Sequence, residues 1–171
     1  MSDLYISWSE YHDLIEKLAV KIYDSGWEFN QIVCLARGGL RVGDILARIY
    51  NLPLAILATS SYNDAIKNAR NSLIISQQLT MTTETLGDRI LLVDDLVDSG
   101  ITLQQTIPWL KEYSQSLVTE IKTAVIWYKA CSVIAPDYYT TYLRENPWIH
   151  QPFELYEHIT PQKLKSKIGN W

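Results

Sequence analysis

Hydrophobic residues along the chain follow two patterns that alternate with each other. Short apolar runs predict buried strands over residues 31–36, 54–59, 89–93 and 120–128. Between these runs, apolar residues recur at helical spacing in three stretches. The first opens at a capping-box pair, Ser7 and Glu10, the second includes residues 45–49, and the third begins near Thr102. Strands alternating with helices predict an α/β fold with a doubly wound, mostly parallel sheet.

Two regions interrupt this alternation. Residues 60–72 are polar and lack apolar periodicity, so they predict a loop, followed by a returning strand over residues 73–79. From about residue 131 onward, prolines interrupt the chain and predict short extended pieces, with a small helix over residues 161–168. We therefore expect residues 1–171 to form one domain that carries a small C-terminal subdomain, or hood, from about residue 131.

Composition narrows the class of protein. The chain has 171 residues, 47% of them hydrophobic, and a net charge of −4, so a large nucleic-acid-binding surface is not indicated. The two cysteines, Cys34 and Cys131, lie in neither a CxxC nor a His-bearing cluster, which disfavours disulfide and zinc scaffolds and suggests a reducing cytoplasm. No run approaches the ~18 apolar residues of a membrane span, so membrane insertion is not expected.

The strand over residues 89–93 leads directly into two adjacent carboxylates, Asp94 and Asp95. Buried carboxylates are costly unless they are paired or bind a metal, so they predict an opening to solvent at this strand end, where open α/β sheets bind ligands. After them, the small residues from Asp98 to Thr102 suit a helix N-terminus whose backbone N–H groups bind an anion. A ligand with both a ribose and a phosphate fits this arrangement; a solvated turn with Asp98 or Ser99 as N-cap is the alternative.

Four other short segments have both a structural and a chemical interpretation. Arg37-Gly38-Gly39 is either a helix-entry turn or a phosphate-binding turn, and Ser60-Ser61-Tyr62 is either a surface turn or the start of a lid. Lys129 either reaches solvent past a strand or recognises a ligand, and Trp148 is either a core residue or a stacking surface. The three histidines are too scattered to predict a metal triad.

The string from Arg89 to Thr102 resembles the phosphoribosyl-diphosphate signature of the type I phosphoribosyltransferases: an apolar run, two acids, two spacers, then Asp-Ser-Gly-x-Thr. The Ser60-Ser61-Tyr62 start, the strand-end Lys129 and the Trp148-Ile149-x-Gln-Pro run are similar to bacterial xanthine-guanine and hypoxanthine (6-oxopurine) enzymes. This chain has Phe153 where those enzymes have a second tryptophan, and the sequence after it departs from theirs. The resemblance implies the type I phosphoribosyltransferase fold.

The resemblance also implies a role for each matched residue. Asp98 is the expected catalytic base, and Asp94 and Asp95 are expected to hold the ribose hydroxyls and Mg2+. The residues expected to bind phosphoribosyl diphosphate are Arg37, Gly38, Gly39, Asp94, Asp95, Asp98, Ser99, Gly100, Ile101 and Thr102. Ser60, Ser61 and Tyr62 would open a lid loop in which Lys67 and Arg70 either meet pyrophosphate or form a solvated basic face. Lys129, Trp148 and Ile149 would bind the purine, and a non-proline cis peptide is expected near Arg37-Gly38.

The expected activity is therefore Mg2+-dependent transfer of 5-phosphoribosyl from phosphoribosyl diphosphate to xanthine, guanine or hypoxanthine in purine salvage. Two alternatives remain: a non-catalytic module that senses phosphoribosyl diphosphate, and a phosphoribosyltransferase for a non-purine base. Expected partners are phosphoribosyl diphosphate, a purine base and further copies of the chain in a homodimer or homotetramer, with no nucleic acid. The acidic net charge disfavours the sensor, and Lys129 with Trp148 disfavours a non-purine acceptor.

Overall fold

The computed structural model describes residues 3–62, 72–115 and 117–169. They form two compact units, one from residues 14–146 and one from residues 1–13 with 147–171. In chain order the elements are β1 (Leu4–Tyr5), α1 (Trp8–Asp24), β2 (Gln31–Ala36), α2 (Leu40–Tyr50), β3 (Leu54–Tyr62), β4 (Ser72–Ile75), β5 (Arg89–Val93), β6 (Leu96–Val97), α3 (Ile101–Tyr113), β7 (Glu120–Lys129), β8 (Tyr138–Leu143), β9 (Ile149–His150), α4 (Leu155–His158) and α5 (Pro161–Ile168).

A seven-stranded sheet forms the larger unit, with the strand order β4-β3-β2-β5-β7-β6 and with β8 also paired to β7. All of its pairings are parallel except β3 with β4. The chain adds β3 on one side of β2 and then β5 on the other side, so the order reverses between β2 and β5. Ligands bind at such a reversal, beyond the carboxyl ends of the two strands.

Helices cover both faces of this sheet, as the doubly wound prediction requires. On one face α3 contributes Leu103 and Leu110 to a core with Leu35, Leu57 and Leu92. On the other face α2 approaches β2 closely, because a Cβ added to Gly43 would lie 2.5 Å from the Cβ of Cys34. The alternate residues of β2 and β5 thus point into two separate cores, which explains why the strands are apolar without interruption.

The smaller unit contains a two-stranded parallel sheet in which Leu4 pairs with Ile149 and Tyr5 with His150. The short helices α4 and α5 follow, and α5 begins with Thr160 as its N-cap and Pro161 in its first turn. The N-terminal residues were not predicted to join this part of the chain, because a two-residue strand has no periodicity to detect. The assignment of the whole chain to one domain with a hood from about residue 131 stays a prediction.

The predicted strands and helices agree with the structure except around the polar loop, where the returning strand predicted over residues 73–79 is β4, Ser72–Ile75, and ends four residues earlier than expected. Ser60, Ser61 and Tyr62 were expected to open this loop, but their backbone continues β3 and pairs with β4, with Ser60 opposite Ile74. The antiparallel pairing satisfies the backbone hydrogen bonds of this polar segment, which side-chain periodicity does not reveal. Lys67 and Arg70 lie outside the described residues. None of the helices in the described ranges is long and apolar enough to cross a membrane.

Candidate active site

The carboxyl ends of β2 and β5 bring two of the predicted ligand-binding segments together. β2 ends at Ala36 and β5 at Val93, and the two strands are hydrogen-bonded neighbours in which Cys34 pairs with Val93. The turn Arg37-Gly38-Gly39 and the pair Asp94-Asp95 therefore emerge side by side, at the point where the strand order reverses. A cis peptide bond joins Ala36 to Arg37, one bond before the Arg37-Gly38 position named in the prediction.

The two glycines are required because the backbone here lies against the aspartates. A Cβ added to Gly38 would clash with the Asp95 carboxylate and lie 3.1 Å from Asp94 Oδ1. At Gly39 it would lie 2.6 Å from the Val93 carbonyl oxygen and 2.9 Å from the Asp94 Cα. A side chain at Gly39 would meet backbone atoms, and one at Gly38 would require the Asp95 carboxylate to move, so the glycine turn and the two carboxylates pack closely together.

The Asp94 carboxylate lies in surroundings that disfavour its charged form. Removal of the Asp94 carboxyl group from water raises its pKa above the ordinary value, and the charge of Asp95 raises it further. One oxygen of Asp94 also accepts a hydrogen bond from the Asp95 backbone N–H at 2.9 Å. The backbone of the pair is fixed to β7, because Asp94 N–H donates to Ala124 O and the Ile126 N–H to Asp95 O.

This pair has the donor chemistry of a magnesium site that is completed by a substrate. Within residues 3–62, 72–115 and 117–169, no group of three or more His, Cys, Asp or Glu side chains is arranged to hold a metal ion. Mg2+ commonly takes only one or two carboxylates and fills its other positions with water and substrate phosphates. A cation would also relieve the repulsion that raises the pKa of Asp94, so the residues present fit the expected ion.

The N-terminus of α3 offers backbone donors beside this pair. Gly100 precedes the helix with φ of 82° and provides no capping side chain, and the first turn has no acidic residue. The helix dipole and the first backbone N–H groups therefore favour an anion at this end. The loop after β7 holds the turn in place, since Val133 N–H donates to Ser99 O at 2.9 Å and a Cβ on Gly100 would clash with Ser132 Oγ.

Lys129 and Asp98 meet at the same edge of the sheet. Lys129 is the last residue of β7 and is only 4% exposed, so it does not reach solvent as a strand-end lysine usually does. Its Nζ lies 3.4 Å from Asp98 Oδ2, and Asp98 itself is 54% exposed. The predicted base and the predicted purine-recognising cation are thus neighbours, although 31 positions separate them in the sequence.

Cys131 also contacts Asp98, and sequence reasoning assigned it no role. Its Sγ lies 3.6 Å from both the backbone oxygen and the Oδ1 of Asp98. The thiol and the Lys129 ammonium group therefore approach different oxygens of the same carboxylate. A lone cysteine outside any motif gives no signal in the sequence, and the contact becomes visible only when β6 and β7 are paired.

The other predicted purine-binding residues, Trp148 and Ile149, belong to the smaller unit. Trp148 is 61% exposed, whereas Ile149 is 8% exposed. The Trp148 carbonyl oxygen accepts from the Leu4 N–H of β1, and the His150 carbonyl oxygen accepts from the N–H of Ile6, the residue after β1. Because successive residues of a strand point their backbone groups to opposite edges, the N–H and C=O of Ile149 face away from β1.

Comparison with known proteins decides the family. The family model described as the phosphoribosyl transferase domain matches residues 7–158, which is most of the chain. The chain belongs to the phosphoribosyl transferase domain family. The resemblance seen in the sequence, the α/β fold of the type I phosphoribosyltransferases and the expectation of a phosphoribosyltransferase enzyme are confirmed.

Three relatives of the phosphoribosyl transferase family illustrate the similarity. The chain is 26% identical to the xanthine-guanine phosphoribosyltransferase of Idiomarina loihiensis over 157 residues, which cover 91% of this chain and 89% of that protein. It is 27% identical, with a TM-score of 0.72, to a purine phosphoribosyltransferase from Pyrococcus horikoshii Ot3, covering 90% and 95% of the two chains. The Helicobacter pylori xanthine-guanine-hypoxanthine phosphoribosyltransferase shares the fold at a TM-score of 0.74 and 22% identity, covering 96% and 99%.

Proposed function

We propose that this chain is a purine phosphoribosyltransferase that transfers 5-phosphoribosyl from phosphoribosyl diphosphate to a 6-oxopurine, in purine salvage. Family membership gives the transfer of a phosphoribosyl group. The observation that supports a purine acceptor is the 3.4 Å distance between Lys129 Nζ and Asp98 Oδ2. It places a cation that can donate to a purine carbonyl oxygen beside a carboxylate that can accept from a purine ring N–H. The names of the relatives from Idiomarina loihiensis and Pyrococcus horikoshii agree with a purine acceptor.

Phosphoribosyl diphosphate would bind along the edge where β2 and β5 end. The N–H groups at the start of α3, from Ser99 to Thr102, would bind the 5-phosphate. Asp94 and Asp95 would accept hydrogen bonds from the ribose hydroxyls and hold Mg2+, which neutralises diphosphate charge when bound. Arg37, Gly38 and Gly39 would face the departing pyrophosphate, since the glycines bring backbone amides close and a guanidinium group matches phosphate oxygens.

The reaction would replace one bond at the anomeric carbon. A purine nitrogen forms a bond to the ribose C1, the bond from C1 to the pyrophosphate oxygen breaks, and the configuration at C1 inverts. The proton of the purine imidazole passes to the Asp98 carboxylate, which must lie within hydrogen-bond reach of the ring. The stabilised groups are a leaving polyanion and a ribosyl cation, so no protein nucleophile is required.

The purine would be recognised by three residues. Lys129 would donate to the exocyclic oxygen, which favours oxopurines over adenine because an amino group cannot accept that bond. Trp148 would stack on the ring, and the backbone after it, at Ile149, would contact the purine edge. A lid that begins near Ser60, Ser61 and Tyr62 would exclude water from the reacting centre. A homodimer or homotetramer in the cytoplasm is part of the same proposal.

The decisive assay incubates the purified protein with phosphoribosyl diphosphate, Mg2+ and one base at a time, and measures pyrophosphate release. We expect release with at least one of hypoxanthine, guanine and xanthine, little with adenine, and none with uracil or orotate. Release only with a pyrimidine would contradict the purine assignment. Binding of phosphoribosyl diphosphate by calorimetry without pyrophosphate release from any base would identify a sensor instead.

A further inference from the structure

The backbone on either side of Trp148 is held within the smaller unit. Leu4 N–H donates to Trp148 O at 2.9 Å, Ile6 N–H donates to His150 O at 3.0 Å, and the Ile149 side chain between them is buried. Pro147 is buried as well. The position of the Trp148 Cα is thus fixed by β1, but these bonds place no restriction on the two side-chain torsions of the indole.

A single carboxylate restricts the indole. Trp148 Nε1 donates to Glu154 Oε1 at 2.8 Å. Glu154 reaches this position because the chain turns back after Pro152, where the Glu154 N–H donates to Gln151 O at 3.0 Å. Trp148 is 61% exposed, and the hydrogen bond fixes the direction in which its indole N–H points, so it orients the ring.

The carboxylate is itself held from its other side. Glu154 Oε2 lies 2.6 Å from His150 Nδ1, and His150 Nε2 lies 3.3 Å from Asp3 Oδ2. The His150 ring is also stacked on Tyr5, with centroids 4.3 Å apart and an angle of 13° between planes. Asp3, His150, Glu154 and Trp148 therefore form one continuous chain of polar contacts that ends at an exposed aromatic surface.

The charges of His150 and Glu154 within this series of polar contacts stabilise each other. The hydrogen bond from Trp148 lowers the pKa of Glu154 and the contact with His150 lowers it further, while the bond to Glu154 raises the pKa of His150. A charged acceptor makes a stronger hydrogen bond than a neutral one. Glu154 consequently holds the indole as an anion and not merely as a polar neighbour.

We propose that Glu154 is a positioning residue for purine binding, which fixes the plane of the Trp148 indole before the base arrives. The inference rests on the proposed function, in which Trp148 stacks on the purine. An aromatic ring held in the bound orientation binds its partner more tightly than one that must first be ordered. Glu154 directly follows Phe153, the residue at which this sequence departs from the xanthine-guanine pattern. The family resemblance therefore assigns no role to Glu154.

The test measures KM separately for the purine and for phosphoribosyl diphosphate in four proteins: wild type, Glu154→Ala, Trp148→Phe and the double variant. Phenylalanine keeps a stacking ring but cannot donate to Glu154. We expect Glu154→Ala to raise the purine KM about three- to tenfold, as for the loss of one hydrogen bond, with little change for phosphoribosyl diphosphate. In the Trp148→Phe background the same substitution should have little further effect if Glu154 acts on the purine through the indole N–H and not through its contact with His150.

Two controls separate positioning from folding. Glu154→Gln retains a neutral acceptor for the indole and should recover part of the wild-type purine KM, because a charged acceptor makes the stronger hydrogen bond. Glu157→Ala removes an exposed carboxylate from α4, the short helix that Glu154 precedes, and should leave the purine KM unchanged. The inference is overturned if Glu154→Ala acts equally in both backgrounds, if it leaves the purine KM unaltered, or if both KM values rise together with a lowered thermal midpoint.

The proposed function and this inference fail in different ways. If wild-type protein releases no pyrophosphate with any purine, the proposed function is wrong and the inference falls with it. If the wild type is active but Trp148→Leu leaves the purine KM unchanged, the stacking role is wrong, and again both fall. If Trp148→Leu raises the purine KM while Glu154→Ala does not, only the inference is wrong.

Discussion

The Lys129 ammonium nitrogen lies 3.4 Å from Asp98 Oδ2, and the two residues come from different elements of the same parallel sheet. Lys129 ends β7, and Asp98 follows β6, whose residues Leu96 and Val97 pair with Trp127 and Tyr128 of β7. The two-residue strand β6 thus determines where the carboxylate lies. The proposed roles of Asp98 and Lys129 can each be tested by substitution.

Asp98→Asn is expected to lower turnover by about two to four orders of magnitude, the usual contribution of a positioned general base. The amide keeps the size of the side chain but does not take up the imidazole proton. Binding of phosphoribosyl diphosphate, measured by calorimetry, should change less than turnover, because the amide keeps an oxygen that can accept a hydrogen bond. Asp44→Asn is a suitable control because Asp44 is an exposed partner of Arg48 on α2. Unchanged turnover in the Asp98 variant would remove its assignment as the base.

Lys129→Met is expected to raise the KM for oxopurines by roughly tenfold or more, since a hydrogen bond to a charged donor contributes about 1.5–3 kcal/mol. Methionine fills most of the buried volume without the charge. Discrimination against adenine should fall in the same variant, because the cation is the proposed reason for it. Steady-state kinetics with hypoxanthine and adenine measure both effects, with Lys111→Met on the exposed side of α3 as control. If Lys129→Met still prefers hypoxanthine to adenine as strongly as the wild type does, Lys129 is not the residue that recognises the exocyclic oxygen.

The main sheet was predictable from sequence because its strands are buried on both faces. β2 was predicted with its observed bounds, Gln31–Ala36, and the carboxyl ends of β2 and β5 follow from parallel pairing alone. The aspartate string and the glycine turn were therefore expected at one edge. The details of that edge were not, because the backbone positions of Asp94 and Asp95 depend on hydrogen bonds to β7.

Two-residue strands and isolated contacts were beyond sequence reasoning for a physical reason. β1, β6 and β9 are too short for apolar periodicity, and their pairing is set by tertiary packing. The extension of β3 through Tyr62 was missed because Ser60 and Ser61 are typical of turns. The contact of Glu154 with Trp148 spans six residues across a proline turn, which the sequence marks as a turn but not as a hydrogen bond.

Gly39→Ala is expected to destabilise the fold and abolish activity. The added methyl group would meet the backbone oxygens of Val93 and Leu35 at 2.6 and 2.9 Å, and neither atom is free to move far within the sheet. Overpacking of this kind costs about 1–3 kcal/mol. Gly26→Ala is the matched control: its φ of 66° is strained, but nothing lies within 4 Å of the added Cβ. The control should lose about 1–2 kcal/mol of unfolding free energy, measured by urea denaturation, and keep full activity.

The pair of His150 and Glu154 should make stability depend on pH within a defined window. The raised pKa of His150 stabilises the fold fully below its ordinary value of 6.5, and the effect disappears as pH rises through the raised pKa. The lowered pKa of Glu154 stabilises the fold above its ordinary value of 4.5, and the effect disappears as pH falls through the lowered pKa. Both contributions are therefore complete between pH 4.5 and 6.5.

Thermal unfolding of wild type and His150→Gln across this pH range provides the measurement. The difference in midpoint should be largest between pH 4.5 and 6.5 and should shrink on both sides. Among the described residues, the titratable groups that face the pair include Asp3, which contacts His150, and His158, which interacts with Glu154. A His158→Gln variant should keep most of the wild-type profile. A difference independent of pH would show that His150 stabilises the fold by packing alone.

Native protein treated with iodoacetamide at pH 8 should react at one of its two cysteines. Cys131 is exposed, whereas burial raises the pKa of the Cys34 thiol to about 12 and keeps it protonated within the core. The adduct would lie beside Asp98, whose Oδ1 is 3.6 Å from Cys131 Sγ, so turnover should fall as modification proceeds. Peptide mass spectrometry identifies the site, and Cys131→Ser should resist inactivation. Modification of Cys34 in the folded protein, or full activity after complete modification of Cys131, would contradict this account.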